Sequence, residues 1–237
     1  MSKNLSRLGR RIPRDWGHVE KHPYGIRSLK AITVNRSLAV PYTYDQGLTS
    51  GCVAYSLQTM MGIYNRKRYD CRWLYCEACA IDNDAETSCV ADVGTYVVAG
   101  LTVLCDEGDR VAGSKKTVRA EGVKSFAWAT TVDQIRTAIA ANKPVEFGIN
   151  WYTNFDTPVM YNGSWWIGRG DWGKVAGGHA ICCFGASDKL QAVRLVNTWG
   201  SSYPRVYISY DSIKRLLSED GEAGVVLDMN SFLPKIW

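Results

Sequence analysis

The chain has 237 residues, 46% hydrophobic and 22% charged, a globular composition that excludes fibrous and wholly disordered structure. Its formal charge of +5 is uneven: residues 1–40 carry nine Lys and Arg against Asp15 and Glu20, a balance of +7, and the rest carries 19 basic and 21 acidic residues. Such a basic arm reads first as a segment that wraps its own domain, and second as a grip for an acidic partner. No basic stripe interleaved with aromatics continues into the body, which argues against nucleic acid as the main partner.

The longest weakly polar run, Val97–Cys105, is far too short for a membrane span. The first residues are basic but lack an apolar core and a small-residue cleavage site, so a cytoplasmic location is expected, or a virion-associated one for a phage chain. In chain order, Val53, Leu57, Met60, Met61 and Tyr64 recur at helical spacing after Cys52 and predict a helix ending at the polar NRKR stretch. Further helices are predicted over 72–81 and 95–104, followed by a polar surface loop over 106–125. Thr131 and Gln134 form a capping-box pattern before Val132, Ile135, Ala138 and Ile139, and Asn142 with Pro144 stops that helix.

From Val145 the period changes to two. Val145, Phe147, Ile149 and Trp151 alternate with Glu146, Gly148 and Asn150, predicting a half-buried strand. Strands follow over 179–184, 192–196, 206–210 and 225–228, with a short helix after Asp211. A helical first half and a mostly β second half make an α+β protein of two lobes.

Eight cysteines suggest a disulfide framework in a small secreted chain, but this chain is not small and carries no visible secretory signal. Cys76 and Cys79 form one CxxC beside Cys71 and Cys89, but no second CxxC and no nearby His completes a zinc site, so buried reduced thiols are expected. Cys182 and Cys183, adjacent in a strand, should face opposite sides of a sheet as core.

Chemistry concentrates elsewhere. Cys52 stands at a helix N-terminus, where the dipole lowers a thiol pKa. His18 and His22 lie in the basic arm, whereas His179 begins an apolar strand. Gln46 lies six residues before Cys52, where its amide can donate to an oxyanion. Asn197 ends the strand after His179 and can fix one imidazole nitrogen, with the Trp199 indole to keep water away.

The stretch from Tyr44 to Ser56, the run Gly177-Gly178-His179-Ala180-Ile181 and the run Val196-Asn197-Thr198-Trp199-Gly200 together resemble the papain-like (C1) cysteine peptidases, closest to bacterial, archaeal and phage members. The resemblance implies a helical lobe and an antiparallel β-barrel lobe, with the active site in the cleft between them. Residues 1–40 would form the arm and 41–237 the peptidase domain, divided near residue 125. It implies Cys52 as nucleophile, His179 as general base then acid, Asn197 as orienter and Gln46 as oxyanion donor, with Gly94, Gly178 and Trp199 lining the substrate site. Gly94 stands in Asp92-Val93-Gly94-Thr95, where the family has two glycines. Val53 replaces the usual tryptophan after the nucleophile, and Thr49 stands where secreted members have a disulfide cysteine. No long helical inhibitory propeptide fits before Cys52, and an open cleft is expected.

The implied function is hydrolysis of peptide or protein substrates through an acyl-thioenzyme, without cofactor, metal or membrane. A papain-fold binding or structural module, such as a virion component, is the alternative. A third reading is another acyl transfer, such as amide hydrolysis of cell-wall peptides.

Overall fold

A computed structural model describes residues 8–11, 32–82 and 88–230; His18 and His22 lie outside them. The apolar spacing after Cys52 produces helix α1 (Cys52–Asn65), which stops where Arg66 turns left-handed at φ 56° and its N–H caps the Gly62 carbonyl. Eleven of its fourteen residues are buried, so it is a central helix rather than a surface one. Helix α2 (Cys71–Ile81) starts at Asp70, whose carboxylate accepts the Trp73 N–H, and α3 (Val97–Asp106) packs beside it. Helix α4 (Val132–Ala140) carries both halves of the Thr131–Gln134 capping box. Helix α5 (Tyr210–Ser218) is capped by Ser209.

Nine described strands form one sheet: β1 (Asn35–Ser37), β2 (Val123–Trp128), β3 (Val145–Tyr152), β4 (Val159–Tyr161), β5 (Ser164–Trp166), β6 (Val175–Ser187), β7 (Ala192–Val196), β8 (Val206–Ser209) and β9 (Glu222–Met229). Their order is β2-β9-β3-β6-β7-β8-β5-β4, with β1 also on β6, and every pairing is antiparallel except β5 with β8. This is the α+β arrangement, and each face of the sheet has its own core. On one side Ala180, Cys182, Phe184, Val196 and Val226 join α1, α2 and α3; on the other Ile181, Cys183, Val193, Leu195 and Val225 join α4 and α5. Cys182 and Cys183 thus face opposite cores, as strand alternation requires.

Three expectations change. Strand β3 is buried on both faces, with only Asn150 half-exposed, because the helical core covers the side that alternation assigned to solvent. Glu146 on that side is fully buried, and Ser56 Oγ donates to it at 2.7 Å. Within 106–125, Asp109 and Glu121 are buried, bonded to Gln58 and Tyr69, so this stretch is not simply a surface loop. The cysteines are not all reduced: Cys76 and Cys89 form a disulfide, their Cα atoms 5.0 Å apart. Helix α2 and the turn after residue 88 bring them together, and sequence spacing carried no sign of that approach.

Candidate active site

Sheet register positions the histidine. Ile149 of β3 pairs with His179 of β6, and β7 pairs with β6 as far as Val196 opposite Cys182. The next residue, Asn197, therefore leaves the strand alongside His179. Its Oδ1 lies 2.9 Å from His179 Nε2 and also accepts the Thr198 N–H at 2.8 Å. Because Oδ1 can only accept, Nε2 carries the proton and Nδ1 is the basic nitrogen. Among the described residues Nδ1 has no hydrogen-bond partner. The ring is fully buried between Trp151, 4.6 Å away between centroids, and Trp199 at 5.1 Å. It does not project from the strand into solvent.

Cys52 heads α1 with its side chain wholly buried. Its sulfur receives the backbone N–H groups of Ala180, the residue after His179, and of Gly9. Burial nevertheless pushes the thiol up to about 11, against the lowering by those donors, and pushes His179 down to about 4 despite the Asn197 bond. The helix dipole loses to desolvation, so at neutral pH the pair is thiol and neutral imidazole. The low thiol pKa expected of a helix N-terminus is therefore absent from this state.

Gln46 is buried and clamped. Its Oε1 accepts from Thr198 Oγ1 at 2.6 Å, its Nε2 donates to the Thr49 carbonyl at 2.7 Å, and its own N–H donates to the Thr198 carbonyl at 2.9 Å. The amide is tied to the turn before Cys52, rather than simply pointed at the space beside the sulfur.

The cleft is not open. Residues 8–11 run between the head of α1 and β6. The Thr95 N–H donates to the Gly9 carbonyl and the Arg11 N–H to the Thr95 carbonyl, both at 2.9 Å, and the Arg10 N–H donates to the Gly178 carbonyl at 3.1 Å. The contact is close enough that a Cβ at Gly9 would stand 1.7 Å from the Ser50 carbonyl oxygen. Likewise, a Cβ at Gly94 would stand 1.9 Å from the Gly9 oxygen, and one at Gly178 2.1 Å from the Arg10 oxygen. Arg10 is 3% exposed and pairs with Glu222 at 3.0 Å. The described part of the arm is held mainly by backbone hydrogen bonds, which need only an extended segment and room.

No protein-family model matches the sequence, and no curated protein matches it. Solved structures do. Xylellain, a cysteine protease from Xylella fastidiosa, superposes with a TM-score of 0.68 at 16% identity, over 93% of this chain and 96% of its own. Procathepsin B S9 from Trypanosoma congolense gives 0.65 at 11%, over 95% and 88%. The Carica candamarcensis cysteine protease CMS1MS2, solved with E-64, gives 0.56 at 14%, over 84% and 100%. The chain has the papain-like fold.

Within a papain-like fold at such low identity, the chemistry must be argued from this chain's own side chains. Sequence patterns missed Gly9, Arg10, Trp151, Thr198 and Glu222. Trp151 was visible only as one more apolar position in β3. Glu222 lies outside the last strand as predicted, 225–228, and opens it only in the structure. Gly9 and Arg10 belong to no periodic pattern at all.

Proposed function

We propose that the chain is a cysteine peptidase held latent by its own residues 8–11. The observation that carries this reading is what β6 brings to the head of α1: Ala180 gives its N–H to the Cys52 thiol, and the residue before it, His179, has Nε2 held by Asn197 Oδ1 and Nδ1 without a partner among the described residues. In the reaction, His179 Nδ1 takes the Cys52 proton and the sulfur attacks the scissile carbonyl carbon. The proton then passes to the leaving amine as the C–N bond breaks, and water hydrolyses the thioester, with His179 as base. Trp199 and Trp151 exclude water from the imidazole–amide contact. Gln46 and the Cys52 N–H are the oxyanion donors of this reading.

Latency has a physical basis. Gly9 offers the sulfur an N–H, while its carbonyl is engaged by Thr95, so the segment fills the site without presenting that carbonyl for attack. Rehydration on its departure relieves the desolvation that keeps both groups neutral. The occupied cleft also favours a second reading, a binding module whose site is permanently closed.

One experiment separates them. The full chain, with and without Gly9→Ala, is incubated with peptides and with a thiol-directed inhibitor such as E-64. Release of the segment should produce peptide hydrolysis and labelling of Cys52, and Cys52→Ala should abolish both. In the released form Gln46→Ala should lower kcat by roughly 10²–10³, as loss of one oxyanion donor does. No hydrolysis and no labelling after release would leave the binding module.

A further inference from the structure

We propose that one face of β5, β8 and β7 is a docking site for an acidic, extended polypeptide, whose carboxylates pair with Arg169, Arg194 and Arg205. The proposal concerns an interaction surface and needs no catalysis at Cys52. No basic run interleaved with aromatics occurs along the chain, yet sheet register builds one across it. Trp166 of β5 pairs with Tyr207 of β8, and Tyr207 pairs with Arg194 of β7. Their side chains therefore stand in a row on one face of the sheet.

Guanidinium groups and rings alternate along that row. The Arg194 guanidinium lies 5.2 Å from the Phe184 ring centre and 5.4 Å from that of Tyr207. Tyr207 and Trp166 stack with centroids 5.3 Å apart, and Arg169 covers Trp166 at 5.3 Å and Tyr161 at 3.5 Å. Arg205 joins at the other end, 5.5 Å from Phe184. Such contacts hold each guanidinium flat on a ring and leave its N–H edges for hydrogen bonds.

What the row lacks is an acid. Arg10, Arg136 and Arg215 pair with carboxylates. Among the described residues Arg169, Arg194 and Arg205 have no ion pair, and their one side-chain hydrogen bond runs from Arg205 to the Val40 carbonyl at 3.3 Å. Two of these cations share the Phe184 ring, and burial, then the charge of Arg194, holds Arg205 below the ordinary guanidinium value. Two buried donors on this face, Arg194 Nε and Trp166 Nε1, also have no acceptor among the described residues. Neighbouring like charges with spare donors gain from an anion that accepts from them. Carboxylates fit better than nucleotides. A base needs an open ring face to stack on, but Phe184 and Trp166 are only 1% and 5% exposed beneath the guanidiniums. Neighbouring strands lie about 4.8 Å apart, so the two steps from Arg194 to Trp166 cover about 10 Å, the span of about three extended residues.

The test uses the full chain with Cys52→Ala, so that nothing bound can be cleaved. Fluorescence anisotropy compares a labelled peptide of alternating glutamate and serine, its glutamine counterpart, and a single-stranded oligothymidylate of matched charge. The glutamate peptide should bind at least about tenfold more tightly than the glutamine peptide. Arg194→Gln combined with Arg205→Gln should erase that margin, while Arg36→Gln, on the exposed β1, should leave it intact. Arg194 also covers Phe184, so denaturant midpoints are measured on every variant. Should the double variant unfold, Arg169→Gln carries the test, because that guanidinium is exposed; a loss of at least about threefold for the glutamate peptide is expected there. Equal binding of the glutamate and glutamine peptides would overturn the docking site. So would a margin that survives the substitutions in a folded chain, since the attraction would then belong to the basic arm. Oligothymidylate binding more tightly than the glutamate peptide, and lost with the same arginines, would overturn the polypeptide as occupant and make the row a nucleic-acid surface. None of these outcomes bears on the chemistry of Cys52.

Discussion

The N-terminal forty residues meet the body at two described places, and both lie on β6. Residues 8–11 take the edge near Gly178, beyond the point where β7 stops pairing at Cys182, while β1 pairs with Gly185–Ser187 at the other end. Each contact is made largely by backbone, yet they differ in what they cover. β1 is exposed along its length, its neighbour Val34 N–H bonded to the Asp188 carboxylate at 2.6 Å, and it closes a sheet edge. Residues 8–11 are packed between β6 and α1 against a thiol. The same strand therefore offers one docking edge in the open and one that lies against the Cys52 thiol, and the arm spends Arg10 on the chain's own Glu222.

Two glycine substitutions break the comparison most sharply. Gly9→Ala forces a methyl into the Ser50 carbonyl, and Gly185→Ala forces one to 2.7 Å from Ser37 Oγ and 2.9 Å from the Arg36 carbonyl oxygen. Overpacking costs typically about 1–3 kcal/mol. Spent on the cleft, that should raise the Cys52 labelling rate by about 5- to 150-fold, at about 1.4 kcal/mol per tenfold, with little change in thermal stability. Spent at β1, it should lower stability by about 1–3 kcal/mol and leave the labelling rate unchanged. Labelling and denaturant midpoints measured on both variants decide this. If Gly185→Ala released the thiol as strongly as Gly9→Ala, the two docking sites would be one cooperative unit.

The second prediction concerns pH. Burial holds His179 at about 4 in the closed chain, against about 6.5 for a hydrated imidazole, so between those values the open state binds more protons. The closed state is fully favoured above about 6.5 and loses that advantage as pH falls through about 4, by up to tenfold per pH unit. Burial raises Cys52 to about 11, so the closed state is also lost as pH rises from the ordinary thiol range through that value. At the β1 end burial alone would raise Asp188, but hydrogen bonds from Arg136, Val34 and Tyr210 hold it below the ordinary carboxylate value. That anchor keeps its contribution at pH 4 and loses it only below. Hydrogen-exchange protection of Thr95 and Arg11 should therefore fall between pH 6.5 and 4 while that of Val34 holds; a parallel loss at both ends would refute separate windows.

Much of this architecture was legible in the chain because local signals agreed with the fold. The Thr131–Gln134 box, the helical spacing after Cys52 and the Cys182–Cys183 alternation each needed only a few neighbouring residues to be read. His179, Asn197 and Gln46 were legible as a spaced set, although their mutual distances depend on β6–β7 register and on the Thr198 bond. What was illegible depends on long-range approach. The Cys76–Cys89 bond, the burial of Glu146 against Ser56 and the seating of Arg10 on Glu222 join segments with no shared period. The thiol pKa went the wrong way for the same reason: a helix N-terminus is a local feature, whereas desolvation by Gly9 and the opposing strand is not.

The smallest effect is expected at Arg36, and it tests whether charge or position makes an arginine of the arm matter. Arg36 lies in β1, and its Nη1 donates to the Ala140 carbonyl at 3.2 Å in an exposed contact. Water replaces such a bond readily, and the backbone pairing of Arg36 with Ala186 does not depend on its side chain. Arg36→Ala should change stability by no more than about 0.5 kcal/mol, as for surface substitutions away from special features, and should leave labelling of Cys52 at its latent rate. Arg10 carries the same charge, but its guanidinium is enclosed with Glu222 between β3 and β9, so there is no solvent to take over its role. Arg10→Ala should accordingly speed labelling where Arg36→Ala does not. Equal acceleration by both would mean that the arm is held by diffuse attraction between a +7 segment and a −2 body, and equal acceleration by 0.5 M salt would say the same, because exposed charges are screened and the enclosed pair is not.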